Sequence, residues 1–224
     1  MREAVVVADS VREQQIPYGG QWLGADLLLP EADPSSLVVA AHDPHRGRDS
    51  PEARRLAHWL VAEGACVLIP ELRLDGEDVV VHGGAEAHLW TLRLKAVLHW
   101  VEQRPLFSGL PLGLAGAGIG AAAALRVAAD HRLGVRAVAC RAPRLEHAGR
   151  WLGRVQAPTL LVVGDADRQA LAQSRRAVGR FRAERALLVL PGVTHLFDEP
   201  GALDAWCRAA CSWFDRHLRE PGSS

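Results

Sequence analysis

The chain has 224 residues, 49% of them hydrophobic, and its 26 Lys and Arg residues equal its 26 Asp and Glu residues in number. This length and composition suffice for one buried core, so we expect a single domain over residues 1–224 with loosely ordered ends at 1–10 and 219–224. A net charge of zero predicts no nucleic-acid partner and no anionic membrane partner. The expected partner is a small molecule, a second copy of the chain or another protein.

The N-terminus and the cysteines predict a cytoplasmic protein. Residues 1–4 lack the basic and then apolar layout of a signal peptide, and no apolar run is long enough to span a bilayer. The cysteines show neither a paired framework nor metal-type spacing, so free thiols are expected in a reducing compartment. They are Cys66, Cys140, Cys207 and Cys211.

Strands and helices are predicted to alternate along the chain. The first two strands form an antiparallel hairpin because Pro17, Gly19 and Gly20 favour a tight reversal, and later strands are continuous apolar runs of the kind covered by helices on both faces. The predicted strands are 11–16, 21–29, 37–41, 66–70, 111–115, 135–140, 159–163 and 186–190. The predicted helices are 51–63, 85–104, 121–129, 169–181 and a closing helix with its apolar stripe between 203 and 217.

This order of elements predicts an α/β fold, a doubly wound and mostly parallel sheet with an N-terminal antiparallel hairpin. Ligands of such folds bind at the carboxyl ends of the strands. The loops that follow the strands therefore hold the candidate site, and the polar connection 71–84 is long enough to lie over it.

A glycine-dense turn follows the predicted strand 111–115. Gly116 to Gly120 occupies the setting of the G-x-S-x-G nucleophile elbow, but Gly118 stands where that motif has serine. An acid and a histidine follow in the order that this fold uses, at Asp167 and His195. In such a pair the carboxylate orients the imidazole, which transfers protons. Asp165 competes with Asp167, and we favour Asp167 by position.

Three segments resemble the dienelactone-hydrolase-like branch of the α/β-hydrolases. They are LGLAGA at 112–117, APTLLVVG at 157–164 and PGVTHLFDEPGAL at 191–203, and the resemblance runs from about residue 11 to 218. It implies catalytic roles for Asp167 and His195, with Gly118 at a vacant nucleophile position. It also implies an oxyanion hole formed by the backbone N–H of Ile119 and a second N–H from the loop after Ala41.

Two positions depart from that family's pattern. The first parallel strand of the family ends in His-Gly, whereas this chain has His42, Asp43, Pro44 and His45. Pro44 has no N–H, and if Asp43 donates instead, its carboxylate lies near the developing negative charge. Gly118 cannot form an acyl-enzyme, so ordinary serine-esterase activity is not expected unless the glycine is an engineered replacement of serine.

Other patterns at the same loops support weaker interpretations. Gly116, Gly118 and Ala121 match a dinucleotide-binding fingerprint, but the next strand ends in Cys140 and Arg141 instead of an acid. His42, Asp43 and His45 could form a metal site with His195, although no second short-spaced pair supports it. We therefore predict no metal and no cofactor.

Four residues are further candidates for substrate contact, and one of them has an alternative role. Cys140 ends a strand that faces the site and is a candidate displaced nucleophile, against the commoner role of a small buried thiol. Arg141, together with Arg144, is placed to bind a carboxylate. The four candidates are His42, His45, Cys140 and Arg141.

These residues predict a protein that binds a small carbonyl or ester compound. The Asp167–His195 pair would act as a general base in direct hydrolysis, elimination or cyclisation without a covalent intermediate. One alternative is a non-catalytic descendant that binds a ligand or a protein partner. Another is an ordinary serine hydrolase whose serine was replaced at Gly118.

Overall fold

The computed structural model describes residues 11–42, 48–74 and 83–219, which form an eight-stranded sheet. Its order is β1-β2-β4-β3-β5-β6-β7-β8. The pairs β1–β2 and β2–β4 are antiparallel and the other neighbours are parallel. The strands are β1 Val11–Tyr18, β2 Gln21–Leu28, β3 Ser36–Ala41, β4 Ala65–Pro70, β5 Leu112–Ala117, β6 Val135–Arg141, β7 Thr159–Gly164 and β8 Arg185–Leu190. The predicted α/β fold class with its N-terminal hairpin is confirmed.

Five α-helices cover the two faces of the sheet. Helices α2 and α3 pack on one face, around Trp90, Leu94 and Leu125, and helices α1 and α5 pack on the other. The helices are α1 Pro51–Ala62, α2 Gly84–Glu102, α3 Gly118–Ala128, α4 Arg168–Val178 and α5 Ala202–Leu218. Short 3₁₀ turns lie at Pro105–Phe107, His131–Leu133, Leu145–His147 and Gly149–Arg154.

Local signals set most of the helix ends. Ser50 Oγ accepts a hydrogen bond from Ala53 N at 3.3 Å and Pro51 occupies the first turn, as the sequence predicts for α1. Helix α3 begins at Gly118, three residues before the predicted start, because the glycine turn runs directly into the first helical turn. Helix α4 ends at Val178, before the predicted 181, and Gly179 follows it.

Some predictions fall outside the described residues. Asp43, Pro44 and His45 lie outside them, and so does most of the predicted site-covering connection, residues 75–82. Within residues 11–42, 48–74 and 83–219, no helix combines the length and hydropathy that crossing a bilayer requires.

Candidate active site

The turn from β5 into α3 has the backbone of a nucleophile elbow. Gly118 adopts φ +53°, the left-handed region that an L side chain rarely occupies. A Cβ at Gly116 would lie 2.6 Å from Ala121 Cα, and one at Gly120 would lie 2.2 Å from Ala41 O. The flanking glycines therefore let α3 approach β3 and β5 so closely that a larger side chain does not fit.

Helix α3 begins at this turn. Ala117 is its N-cap residue and makes no side-chain cap hydrogen bond. The N–H of Ile119 lies in the first turn, where an α-helix has no internal partner for its donors, and the helix dipole adds positive potential there. An oxyanion at the elbow would meet this N–H. Asp43, the predicted second donor, lies outside the described residues.

His195 and Asp167 are in contact. His195 Nδ1 lies 2.6 Å from Asp167 Oδ2, and the side chains are 38% and 12% exposed. Because a carboxylate only accepts hydrogen bonds, Nδ1 is the donor, and in the neutral imidazole Nε2 then keeps its lone pair. Asp167 is also the N-cap of α4, since its Oδ1 accepts a hydrogen bond from Ala170 N at 3.0 Å. The helix end therefore fixes the carboxylate that orients the imidazole.

The loops that carry these two residues are joined through their backbones. Ala166 N donates to Val193 O at 3.1 Å. Asp165 Oδ1 accepts from Gly192 N at 2.6 Å, so Asp165 supports the turn after β8 and Asp167 contacts the histidine. A Cβ at Gly164 would lie 1.8 Å from Val193 O. The carboxyl ends of β7 and β8 thus form one closely packed unit.

Arg141 links that unit to the elbow. It is the last residue of β6, where it pairs with Ala117 of β5. Its Nη1 donates to Leu196 O at 3.2 Å, and its guanidinium lies 5.2 Å from the centroid of the Phe197 ring. Phe197 is 3% exposed and adopts φ +61°, an outlier for an aromatic residue. Arg141 therefore fixes the backbone one residue after His195.

Glu199 supports the other side of His195. Its Oε1 accepts a hydrogen bond from Thr194 N at 3.0 Å. Hydrogen bonding from Thr194 and from the Glu199 backbone lowers the pKa of the Glu199 carboxyl below its usual value. The imidazole is thus held between an arginine contact at Leu196 and a carboxylate contact at Thr194.

A small depression of about 30 Å³, open to solvent, lies on the α1 and α5 side of the strand ends. His42 lies against it, is 5% exposed, and its Nε2 lies 3.0 Å from Pro70 O, which identifies Nε2 as the protonated nitrogen. Neither His195 nor Asp167 lines it. Its other lining residues include Glu52, Gly116, Ala117, Arg141 and Trp206.

Cys140 is buried and does not line the depression at the strand ends. Its side chain is 0% exposed in the core on the α2 and α3 side, and burial raises the pKa of its thiol. A buried neutral thiol is a poor nucleophile, so the structure corrects the prediction that Cys140 faces the site. His45 lies outside the described residues. Within the described residues, no three His, Cys, Asp or Glu side chains are grouped closely enough to hold a metal ion.

Sequence reasoning missed three supports of the site. Gly164 is the last residue of β7, and a glycine at a strand end beside a candidate acid was the available signal for a close backbone approach. Glu199 lies four residues after His195 inside the quoted 191–203 segment. Phe197 carries no signal, because an aromatic residue at positive φ follows no local preference.

The chain was compared with protein-family models and with curated proteins. No protein-family model matches it. Two proteins from Mycobacterium tuberculosis, strains CDC 1551 / Oshkosh and ATCC 25618 / H37Rv, both named "Putative phosphoribosyl transferase", are 39% identical over 212 residues, which is 95% of this chain and 48% of each relative. The chain therefore spans about half the length of the curated relatives it matches.

The solved structures give the family. A serine hydrolase homologue from Coxiella burnetii shares the fold at 22% identity, with a TM-score of 0.72 over 94% of this chain and 99% of that chain. Dienelactone hydrolase from Anabaena variabilis is 31% identical, with a TM-score of 0.89 over 94% of this chain and 99% of that chain. With 31% identity across nearly the whole of both chains, this chain belongs to the dienelactone-hydrolase-like branch of the α/β-hydrolase superfamily.

Proposed function

We propose that this chain binds a small carbonyl or ester compound at the carboxyl ends of β5 to β8 and that His195 acts on it as a general base. The observation that carries this proposal is the 2.6 Å contact between His195 Nδ1 and Asp167 Oδ2. It leaves Nε2 as the proton-accepting nitrogen of a partly exposed imidazole. Because Gly118 offers no nucleophilic atom, water is the attacking group.

The proposed hydrolysis has two steps. His195 Nε2 takes a proton from water while the water oxygen bonds to the carbonyl carbon, and the resulting oxyanion accepts a hydrogen bond from Ile119 N–H. The carbon–oxygen bond to the leaving group then breaks, and the leaving oxygen takes the proton from His195. Asp167 stays ionised throughout and stabilises the imidazolium.

The names of the relatives inform the substrate class to different degrees. The dienelactone hydrolase of Anabaena variabilis supports an ester or lactone, since it matches this chain over nearly its full length. The transferase name of the two mycobacterial proteins describes chains of which this one spans about half.

The test measures hydrolysis of small activated esters and lactones by the natural chain, His195→Ala, Asp167→Asn and Gly118→Ser. The proposal expects turnover by the natural chain, loss of that turnover in His195→Ala, and a large decrease in Asp167→Asn. Asparagine can still cap α4 through its Oδ1, so this decrease reports the lost charge and the lost acceptor for His195 Nδ1–H and not a lost helix start. His99→Ala on the exposed face of α2 is the matched control and should keep full activity.

Turnover that survives His195→Ala overturns the general-base proposal. Activity that appears only in Gly118→Ser, and disappears when His195→Ala is added, also overturns it. That result would mean that the site still supports acyl-enzyme chemistry and that the natural chain lacks only the nucleophile.

A second candidate function is a non-catalytic ligand-binding module. The observation that favours it is Gly118 itself, which keeps the elbow backbone at φ +53° without a nucleophile. This function expects no turnover in any variant, together with thermal stabilisation by a carbonyl compound that is lost when Arg141 or His42 is replaced. Stabilisation of these variants equal to that of the natural chain would contradict it.

A further inference from the structure

A second cleft lies between α2, α3 and the 3₁₀ turn Gly149–Arg154, and it shares no lining residue with the depression at the strand ends. Its volume is about 420 Å³, and it is open to solvent. Its charged lining comprises Lys95, Arg126, Arg132 and Arg154 against a single carboxylate, Asp130. The whole chain has a net charge of zero, so the excess of positive charge is a property of this cleft and not of the whole protein.

Arg126 is the central member of the cleft. It is 8% exposed, its Nε is buried without a hydrogen-bond partner, and its Nη2 lies 3.1 Å from His88 Nδ1. Among the described residues, no carboxylate pairs with it. Burial and the nearby Arg150 charge lower the pKa of Arg126. Burying a cation without a counter-ion lowers the stability of the folded state. The fold nevertheless keeps at this position a charge that its own side chains do not neutralise.

Three arginine side chains lie close to the ring of Trp151, which lines the cleft. The guanidiniums of Arg126, Arg150 and Arg154 lie 5.9, 5.0 and 5.4 Å from the Trp151 ring centroid. Asp130 does not offset them, because it is already paired with Lys95 at 2.9 Å and with Arg132 at 2.9 Å. The ring keeps these arginines close together although their charges repel.

We propose that this cleft binds a small organic molecule that carries one or more phosphate groups. Guanidinium groups bind oxyanions through paired N–H donors, and a phosphomonoester brings about two negative charges at neutral pH, more than a carboxylate brings. Leu92 also lines the cleft and is 44% exposed, which provides apolar surface for the organic part beside Trp151. The proposal is independent of the chemistry at His195.

The test titrates the full chain with sodium pyrophosphate and, separately, with adenosine monophosphate at constant ionic strength, by calorimetry and thermal shift. The natural chain should bind both phosphate compounds, with adenosine as the uncharged control that does not bind. Arg126→Gln and Arg154→Gln should each weaken binding by about tenfold or more, since each removes a charged hydrogen-bond donor. Arg208→Gln, on the exposed side of α5 across the sheet, is the matched control and should bind as the natural chain does.

Three results overturn the proposal. The first is that neither phosphate compound binds. The second is that Arg126→Gln, Arg154→Gln and Arg208→Gln all bind with equal affinity, which would indicate non-specific electrostatic attraction. The third is binding of a single-stranded oligonucleotide at far lower concentration than either compound, which would assign the cleft to nucleic acid. If Arg126→Gln does not fold, Arg154→Gln decides the test, because its side chain borders the solvent-exposed part of the cleft.

Discussion

The two halves of the candidate active site differ in what they retain. The histidine side, formed by residues 164–167 and 191–199 after β7 and β8, keeps an Asp–His contact with supporting bonds on both flanks. The elbow side, formed by the end of β3 and by Gly116 to Gly120, keeps the turn but not the nucleophile. Both sides thus have a backbone held by close packing or hydrogen bonds, whereas the side chains that can transfer protons lie on the histidine side.

The glycines of this site differ in whether the packing around them requires a glycine. Gly116, Gly120 and Gly164 stand where another backbone segment occupies the space of a Cβ, so packing requires them. Gly118 stands at a position where the elbow motif places a serine despite positive φ, so the turn itself does not require glycine there. The choice of residue at position 118 is therefore separable from the integrity of the fold around it.

The largest expected effect comes from filling the packed glycines. Gly164→Ala on the histidine side and Gly120→Ala on the elbow side each place a methyl group against a backbone carbonyl, at 1.8 and 2.2 Å. Each substitution should lower the free energy of unfolding by about 3 kcal/mol or more, because backbone on both sides must shift. Urea denaturation followed by circular dichroism measures this loss.

Gly179→Ala is the matched control for these two variants. A Cβ there meets nothing within 4 Å and the backbone is helical, so stability should be unchanged or higher by less than about 1 kcal/mol. A tolerated Gly164→Ala beside a destabilising Gly120→Ala would break the comparison, since only the elbow side would then be tightly packed.

An intermediate effect is expected at Arg141, which joins the two sides. Arg141→Gln removes the hydrogen bond to Leu196 O and the contact with the Phe197 ring, at a cost of about 2 kcal/mol. Hydrogen exchange should show faster exchange in residues 191–200 with little change in α3. Arg136→Gln, an exposed position on the same strand, is the control. Uniform acceleration across the chain would contradict a role in positioning His195.

Hydrophobic pattern and chain order were sufficient to predict the sheet, its hairpin and the glycine turn after β5. Continuous apolar runs such as 66–70 predict buried strands because helices cover both faces, and GAGIG predicts a sharp strand-to-helix turn because of its glycines. These features are determined by residues that are close together in the chain, so they can be predicted from the sequence.

The remaining features depend on distant pairs of residues. Arg141 and Leu196 are 55 positions apart, and Arg126 and His88 are 38 apart on separate helices. Alternation along a strand predicts which face Arg141 occupies but not the carbonyl that it reaches. A charged residue on a helix such as Arg126 is expected to be solvated, and only the packing of α2 against α3 buries it.

The smallest expected effect concerns Glu199 and its pH dependence. Glu199→Gln keeps an oxygen for the Thr194 N–H but removes the charge. Because the folded pKa of Glu199 lies below its unfolded value of about 4.3, its stabilising contribution is full above that value and is lost as pH falls through the folded pKa. The melting temperature of the natural chain should therefore exceed that of Glu199→Gln at neutral pH, and the difference should shrink once the pH falls below the unfolded pKa of about 4.3. Glu31→Gln, in the exposed connection between β2 and β3, removes the same charge away from this loop and is the matched control. A difference that grows as pH falls would reverse the sign of this coupling and would show that the histidine side does not use the Glu199 charge to hold Thr194 and His195.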